Sequence, residues 1–386
     1  MLNSKVVSEL SKNEPEWLIR IRKNALKTFE KLPLPYFKYG LAISNNLSKF
    51  NLDSLNPLEL QDIGIISEGA EVLLFEDALK KYPKILKDFF SSADFGKNKF
   101  ASLHGAFFNQ TLFVVVPKNT KAKVKINLEL KTTLIHNLII VAEENSELDF
   151  IENLNSVSEE FRSQFIKVIA KRGSKIKYFT LQDFSEDVNN FVERKADLKE
   201  DSSLVWVDYI LGSKLTKLNS SIELNGSGAS AKTIGAFLGE NKQGFDLYIE
   251  SVHNAPDTHS DILTHGTLND ESRSIYRGLI KIKNGAKNSI GYQKESTLLL
   301  SDKAEADAVP KLEIKEKEVK CSHGTAIGRL DDEKLFYLMA RGLDEKSAKM
   351  QLIKAFFEPI ESQLENKEMV SKLRVAISKK LERAVK

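Results

Sequence analysis

The chain is poor in the residues that staple, sort or anchor proteins. It has one cysteine among 386 residues, so it can form no internal disulfide and cannot by itself build a site of four thiolates. Such usage fits a reducing, cytoplasmic setting. No apolar run approaches the roughly 20 residues of a membrane span. The longest, LIHNLIIVA and TLFVVV, reach about half of it. The opening MLNSKVVSELSKNEPEW lacks the apolar segment of a signal peptide. An excess of one charge is also missing. The 57 Lys and Arg against 54 Asp and Glu leave +3, mixed along the chain, so no basic footprint argues for nucleic acid. HExxH and CxxC do not occur. What remains is globular composition, 41% hydrophobic and 29% charged, on a chain long enough for a large core and more than one unit.

Three textures divide the chain. Residues 1–98 read as an N-terminal helical domain. Asn13 can cap a helix with Pro15 and Glu16 in its first turn. Leu18, Ile21, Ala25, Phe29 and Leu32 then recur at helical spacing, and Pro33 and Pro35 end it. A second helical stretch, LLFEDALKKYPKILKDFF, is interrupted at Pro83. Residues 99–328 are a succession of short β-rich runs, among them KVKINLEL, KIKYFTL, LVWVDYIL and FDLYIESV, separated by small polar turns. Ser146, Ser174, Ser202 and Ala286 fall at a step of about 28 residues or its multiple. Short strands at a fixed period favour a parallel β-helix over a sandwich, since each coil buries its Val, Ile, Leu and Phe against its neighbours. Residues 329–386 are helical again. Asp331 or Asp332 caps DEKLFYLMAR, Gly342 ends it, and Asp344 starts a helix through Phe357 that Pro359 stops. A last helix carries Val370, Leu373, Ile377, Leu381 and Ala384 on one face. Phe336, Tyr337 and Phe356 either plug the end of the solenoid or form a docking surface.

Candidate chemistry is sparse. Gly226 to Thr233, GSGASAKT, nearly spells a phosphate loop, but Ala231 replaces the second glycine and a strand pattern follows where a helix is needed. His253, His259 and His265 stand six residues apart, too far along an extended chain to share an ion unless it turns at Pro256. Hydrogen bonding within a polar ladder is the favoured reading. Cys321 and His323, in EVKCSHGTAIG, are the sharpest pair. Positions i and i+2 of a strand share a face, and a thiolate beside an imidazole suits iron or zinc. Two ligands do not close a site, so another chain or an inorganic ligand must complete it. A buried cysteine near the end of the solenoid and a His-activated nucleophile are the alternatives.

The runs HSDILTHGTLNDESRSIYRGLIKI, LLLSDKAEADAVPKLEI and KCSHGTAIGRLDDEKLFYLMARG resemble the SufB/SufD family of iron–sulfur cluster assembly proteins. The likeness is strongest over about 253 to 357 and returns at EPEW and AFFNQTLFVVVPKNT. Within the family it is to SufD. SufB-type chains carry a cysteine after the Gln of the segment matching YQKESTLLLS, and here Gln293 precedes Lys294. The SufD-type C-x-H-G pattern is matched by Cys321, Ser322, His323 and Gly324, while Thr325 and Ala326 depart from the usual order. The resemblance implies a right-handed parallel β-helix between helical end domains and a non-catalytic scaffold role. It implies pairing with SufB through the β-helix, or a homodimer in isolation. It also implies engagement of the ABC-type ATPase SufC by the C-terminal helices through Phe336, Tyr337, Arg341 and Phe356. His323, with Cys321 beside it, would hold a transient iron–sulfur cluster or iron shared with SufB, no cofactor being tightly bound. ATP-driven SufC dimerisation would then pull on the helical ends and open the interface. A SufB-like homodimer in a minimal system is the near alternative, which Lys294 opposes. The distant one is a carbohydrate-active β-helix enzyme using Asp257, Asp261, Asp270 or Glu271.

Overall fold

The computed structural model describes residues 2–34, 36–38, 44–46, 50–157, 160–364 and 367–384. Its centre is a β-solenoid of two facing nine-stranded sheets. One strand of each sheet is antiparallel and the other eight are parallel, so the chain alternates between the sheets through about eight coils. The first coil is Gln110–Val116 with Lys121–Leu130; the last is Glu305–Ile314 with Lys320–Arg329.

Alternation along each strand sorts its residues inward and outward. Every strand is in register with the next, so inward residues stack in columns. One column runs Val124, Phe150, Tyr178, Trp206, Thr233, Ile262, Gln293 and His323. The sharp turn before the second strand of each of the first seven coils holds one left-handed residue. Asn119, Asn145, Gly173, Asp201, Gly228, Asp257 and Asn288 supply it, with φ between 53° and 72°. These are the residue types that tolerate that region. In the second to fourth coils the residue that follows is a buried serine whose hydroxyl closes the turn: Ser146 donates to Glu143 O at 2.6 Å, Ser174 to Lys171 O at 2.7 Å and Ser202 to Lys199 O at 2.7 Å. Coil length is not constant. Equivalent residues are 28 apart for Arg162 and Asn190, 29 for Ser221 and Glu250, and 31 for Asp257 and Asn288. Ala286 is therefore not the fourth member of the serine column. It sits in an extra turn of a longer coil, and Ser289 occupies the column position.

Helices flank this core. α1 (Ser4–Leu10) and α2 (Glu16–Lys31) precede α3 (Phe75–Lys81), α4 (Pro83–Ser92) and α5 (Lys99–Phe107). Asn3 caps α1, an element the sequence reading did not expect. α2 starts at Pro15 without the Asn13 cap, because the fixed φ of proline already sets the first turn. The stretch 64–74 is not helical. Gly64–Glu68 and Glu71–Leu74 pair antiparallel with the first coil and cover its edges. Leu18, Phe29, Leu86, Phe90 and Leu103 fill the apolar seam under the helices. Toward the C-terminus come α6 (Asp332–Ala340), α7 (Glu345–Glu361) and α8 (Lys367–Ala384). Asp331 caps α6 and Asp344 caps α7. Contrary to expectation, α7 runs past Pro359, which lies in the last turn and removes only one helical hydrogen bond. Ile353, Phe357 and Ile360 of α7 and Leu373 and Ile377 of α8 pack against Phe179, Val207, Tyr209 and Ile234 on the outer face of one sheet. The side chains of Leu381 and Ala384 lie outside the described residues.

The interior is mostly apolar but holds paired polar groups from Glu152, Arg162 and Gln164 onward. Early coils hold Val, Ile, Leu and Phe. Further on, Arg194 pairs with Asp208 through contacts of 2.8 and 2.5 Å while its guanidinium lies 4.2 Å from the Trp206 ring. Such a pair is tolerated because both partners are satisfied. His104, under α5, is another buried polar group. Its Nε2–H donates to Asn137 Oδ1 at 3.0 Å and Nδ1 accepts from Ser163 at 2.8 Å, with the ring stacked 3.9 Å from Phe165. Burial holds its pKa down at about 3, and that of interior His253 at about 4. Both are neutral when folded and take up protons when unfolded near pH 6.5, so their stabilisation is complete above that pH and lost below it. The urea midpoint should therefore fall as pH drops from 7 to 5, each histidine removing on the order of 2 kcal/mol. A flat midpoint over that range would contradict this account.

Candidate functional site

The last coil is the one place where inward residues have no coil above them. Among the described residues, Lys320–Arg329 pairs on one side only, with Ile290–Leu299, and Glu305–Ile314 only with Arg273–Ile282. Each presents an open edge of 10 residues. Tyr292, Val309, Ile314 and Ile327 are exposed there. The C-terminal helices do not plug this end; they lie along the outer face of a sheet.

Cys321 and His323 share one face of the terminal strand, as the i, i+2 spacing requires. Both end inward columns. Cys321 follows Gly291, whose missing side chain leaves room for Ile280: a Cβ built on Gly291 would stand 2.9 Å from Ile280 Cγ2 and in ordinary contact with the Cys321 sulfur. The thiol packs partly against the apolar interior, and burial raises its pKa. His323 follows Gln293 and is exposed at the end of its column. Among the described residues no group of three or more His, Cys, Asp or Glu gathers as a metal site. The pair therefore offers two donors on an open rim.

The floor beneath the pair is polar, which the sequence reading missed. Gln293 lies across the interior against Gly278, where a Cβ would approach its Nε2 to 2.1 Å. Glu295, two residues on, bonds Thr297, and burial pushes its pKa up to about 7. Tyr276 is buried in the same coil. The signal was legible: Gln293, Glu295 and Thr297 alternate with outward residues, placing three polar side chains in succession inside a tube. An open groove of about 550 Å³ runs over these strands, its lining including Tyr292, Lys294, Ser322, His323 and Gln363. Lys294 alternates with the buried Gln293 and Glu295 and so faces outward, while His323 ends the inward column.

The three spaced histidines do not meet. His253 is interior, its ring nitrogens 2.7 and 2.8 Å from Thr258 and Ser260. His259 is exposed beside Tyr292, and His265 lies on the outer face beneath α7. Residues 226–233 form a turn running into the strand Ser230–Gly239, with no helix to bind phosphate. Asp257 and Asp270 occupy turns at different corners, and Glu271 faces Lys242 and Lys303. On α6, Phe336 and Tyr337 are 73% and 57% exposed, and the Arg341 guanidinium stands 5.2 Å from the Tyr337 ring. Phe356 faces inward instead, its ring 4.6 Å from that of His265. No described helix is long and apolar enough to cross a membrane.

Because Cys321 is the only thiol, its chemistry can be read without ambiguity. Its raised pKa and partial cover predict slower alkylation by iodoacetamide at pH 7.5 than for free cysteine. A rate equal to or above that of the free amino acid would show that the sulfur is activated rather than sheltered.

Comparison with known proteins agrees with this geometry. A family model described as SUF system FeS cluster assembly, SufBD core domain, matches residues 124–356. A Staphylococcus haemolyticus protein described as an iron-sulfur cluster assembly SufBD family protein is 26% identical, over 94% of this chain and 90% of its own length. A Staphylococcus aureus relative of the same description, from strain MRSA252, has the same identity and coverage. With more than half of its length matched by the core model, including the coil that ends in Cys321 and His323, this chain belongs to the SufBD family of iron–sulfur cluster assembly proteins.

Proposed function

We propose that the chain is a SufD-type subunit of a cytoplasmic SufB–SufC–SufD complex that assembles iron–sulfur clusters. Its last coil receives SufB, and the two chains share a nascent cluster, or its iron, as cargo. The observation that carries this reading is the coincidence of two unpaired edges with the coil that holds Cys321 and His323. Long exposed edges invite pairing with another chain, and the apolar residues beside them favour cover. A second copy of this chain can occupy the same edges in isolation.

The donor set supports the cargo. A thiolate and an imidazole suit iron, and two donors leave its remaining positions to sulfide and to thiolates of SufB. Cys321 must give up its proton to bind, so capture is favoured as pH rises. The polar floor of Gln293 and Glu295 keeps the inner side of the pair from being wholly apolar. Lys294 supports the SufD assignment, since a SufB-type chain carries a thiol there.

This chain makes and breaks no covalent bond of its own; it holds ligands in place. Energy enters through SufC, which docks on the C-terminal helices. Phe336, Tyr337 and Arg341 form the exposed part of that surface, and Phe356 seats the helix beneath it. Dimerisation of SufC on ATP binding then pulls α6 and α7 and opens the shared edge to iron and sulfide.

Replacing His323 by Ala should abolish cluster formation in the co-expressed complex, read as visible absorption after reconstitution, while co-purification with SufB and SufC survives. Full cluster yield from the mutant complex would overturn the ligand assignment.

A further inference from the structure

His265 lies where the C-terminal helices meet the solenoid. It belongs to the strand His259–Leu268, which pairs with Ile290–Leu299, which pairs in turn with Lys320–Arg329. The side chain points outward and is buried beneath α7. Its Nδ1 is 2.7 Å from the carbonyl oxygen of Phe356. A carbonyl only accepts, so Nδ1 carries the hydrogen and donates it. The ring also packs on that of Phe356, centroids 4.6 Å apart. One side chain thus grips α7 twice, once at the backbone and once at an aromatic ring.

Two other polar contacts between this domain and the solenoid attach elsewhere. Lys232 meets Gln363 beyond the end of α7, and Lys380 of α8 lies 3.6 Å from Glu240. Both anchor on residues of earlier coils. Among the three, His265 is on the strand nearest the last coil. α7 in turn packs against α6, which carries the exposed Phe336 and Tyr337. A displacement of α6 reaches the rim along the chain, since α6 starts three residues after Arg329 ends the terminal strand, and also through α7, His265 and two strand pairings.

We infer that His265 is a positioning residue, the point at which the C-terminal helices grip the strands beneath the Cys321–His323 rim. Its role in assembly rests on the reading of α6 as the ATPase-docking helix; its role as a grip on α7 does not. In-register strands move together because each is tied along its length to the next, so a pull at His265 is delivered to the rim rather than absorbed at the surface.

Two variants separate the contacts. His265→Phe keeps a ring against Phe356 and removes the donor; His265→Asn keeps a donor near the position of Nδ1 and removes the ring. In the full chain alone, His265→Phe should speed amide hydrogen exchange across α7 by about tenfold relative to wild type, and His265→Asn should restore much of the protection. Equal exchange in wild type and both variants would overturn the grip. If His265→Phe fails to fold, His265→Asn against His265→Ala carries the same comparison. In the second arm, SufC and a non-hydrolysable ATP analogue are added. Wild type should show a change in exchange over Ile290–Leu299, the strand between His265 and the rim, that His265→Phe lacks, with SufC bound equally by both. A response retained by His265→Phe overturns the coupling. A wild-type chain that binds no SufC overturns the docking assignment instead, leaving the result of the first arm standing.

Discussion

In-register stacking of parallel strands is the constraint from which the rest of this structure follows. Each coil satisfies its backbone groups only through the coils on either side. The ladder is self-consistent in the middle and must be resolved at both ends. At the start, Gly64–Glu68 and Glu71–Leu74 pair antiparallel with the first coil and helices cover the apolar seam. At the far end nothing in the described chain does so. Two aligned edges remain open at the coil that bears the only thiol and an exposed imidazole. An unfinished ladder and an unfinished ligand set occur together, and one partner can complete both.

Stacking also decides where side chains stand. Because equivalent positions repeat coil after coil, an inward column runs the length of the tube and stops at the rim. Cys321 and His323 end two such columns, above Gly291 and Gln293. The donors thus stand on a packed column rather than on a loose loop, and their spacing is set by the strand. The C-terminal helices leave the rim free by packing along the outer sheet face through Ile353, Phe357 and Leu373.

Much of this was legible in the sequence, for identifiable reasons. The period of about 28 residues showed because the early coils repeat it at serines that close each turn. It blurred where coils lengthen to 31 residues, and Ala286 then matched the step without sharing the position. The i, i+2 pairing of Cys321 with His323 needed only the geometry of a strand. Gly64–Glu68 and Glu71–Leu74, inside a region that reads as helical, join different sheets, and such a short two-sided apolar run between helices lacks a distinguishing period. Helix α7 outran its proline because packing of Phe357 and Ile360 outweighs one missing hydrogen bond. The inward turn of Phe356 depends on which surface meets which, and only the fold supplies that, whereas the polar floor at Gln293 and Glu295 is legible in the alternation of its strand.

The central claim is that the rim carrying Cys321 is the face covered by the SufB partner. The rate of alkylation of that thiol, measured with and without saturating SufB in the absence of iron, tests it most directly. Shielding that slows the reaction severalfold on complex formation is the predicted result. An unchanged rate in a complex shown to be intact would contradict the account.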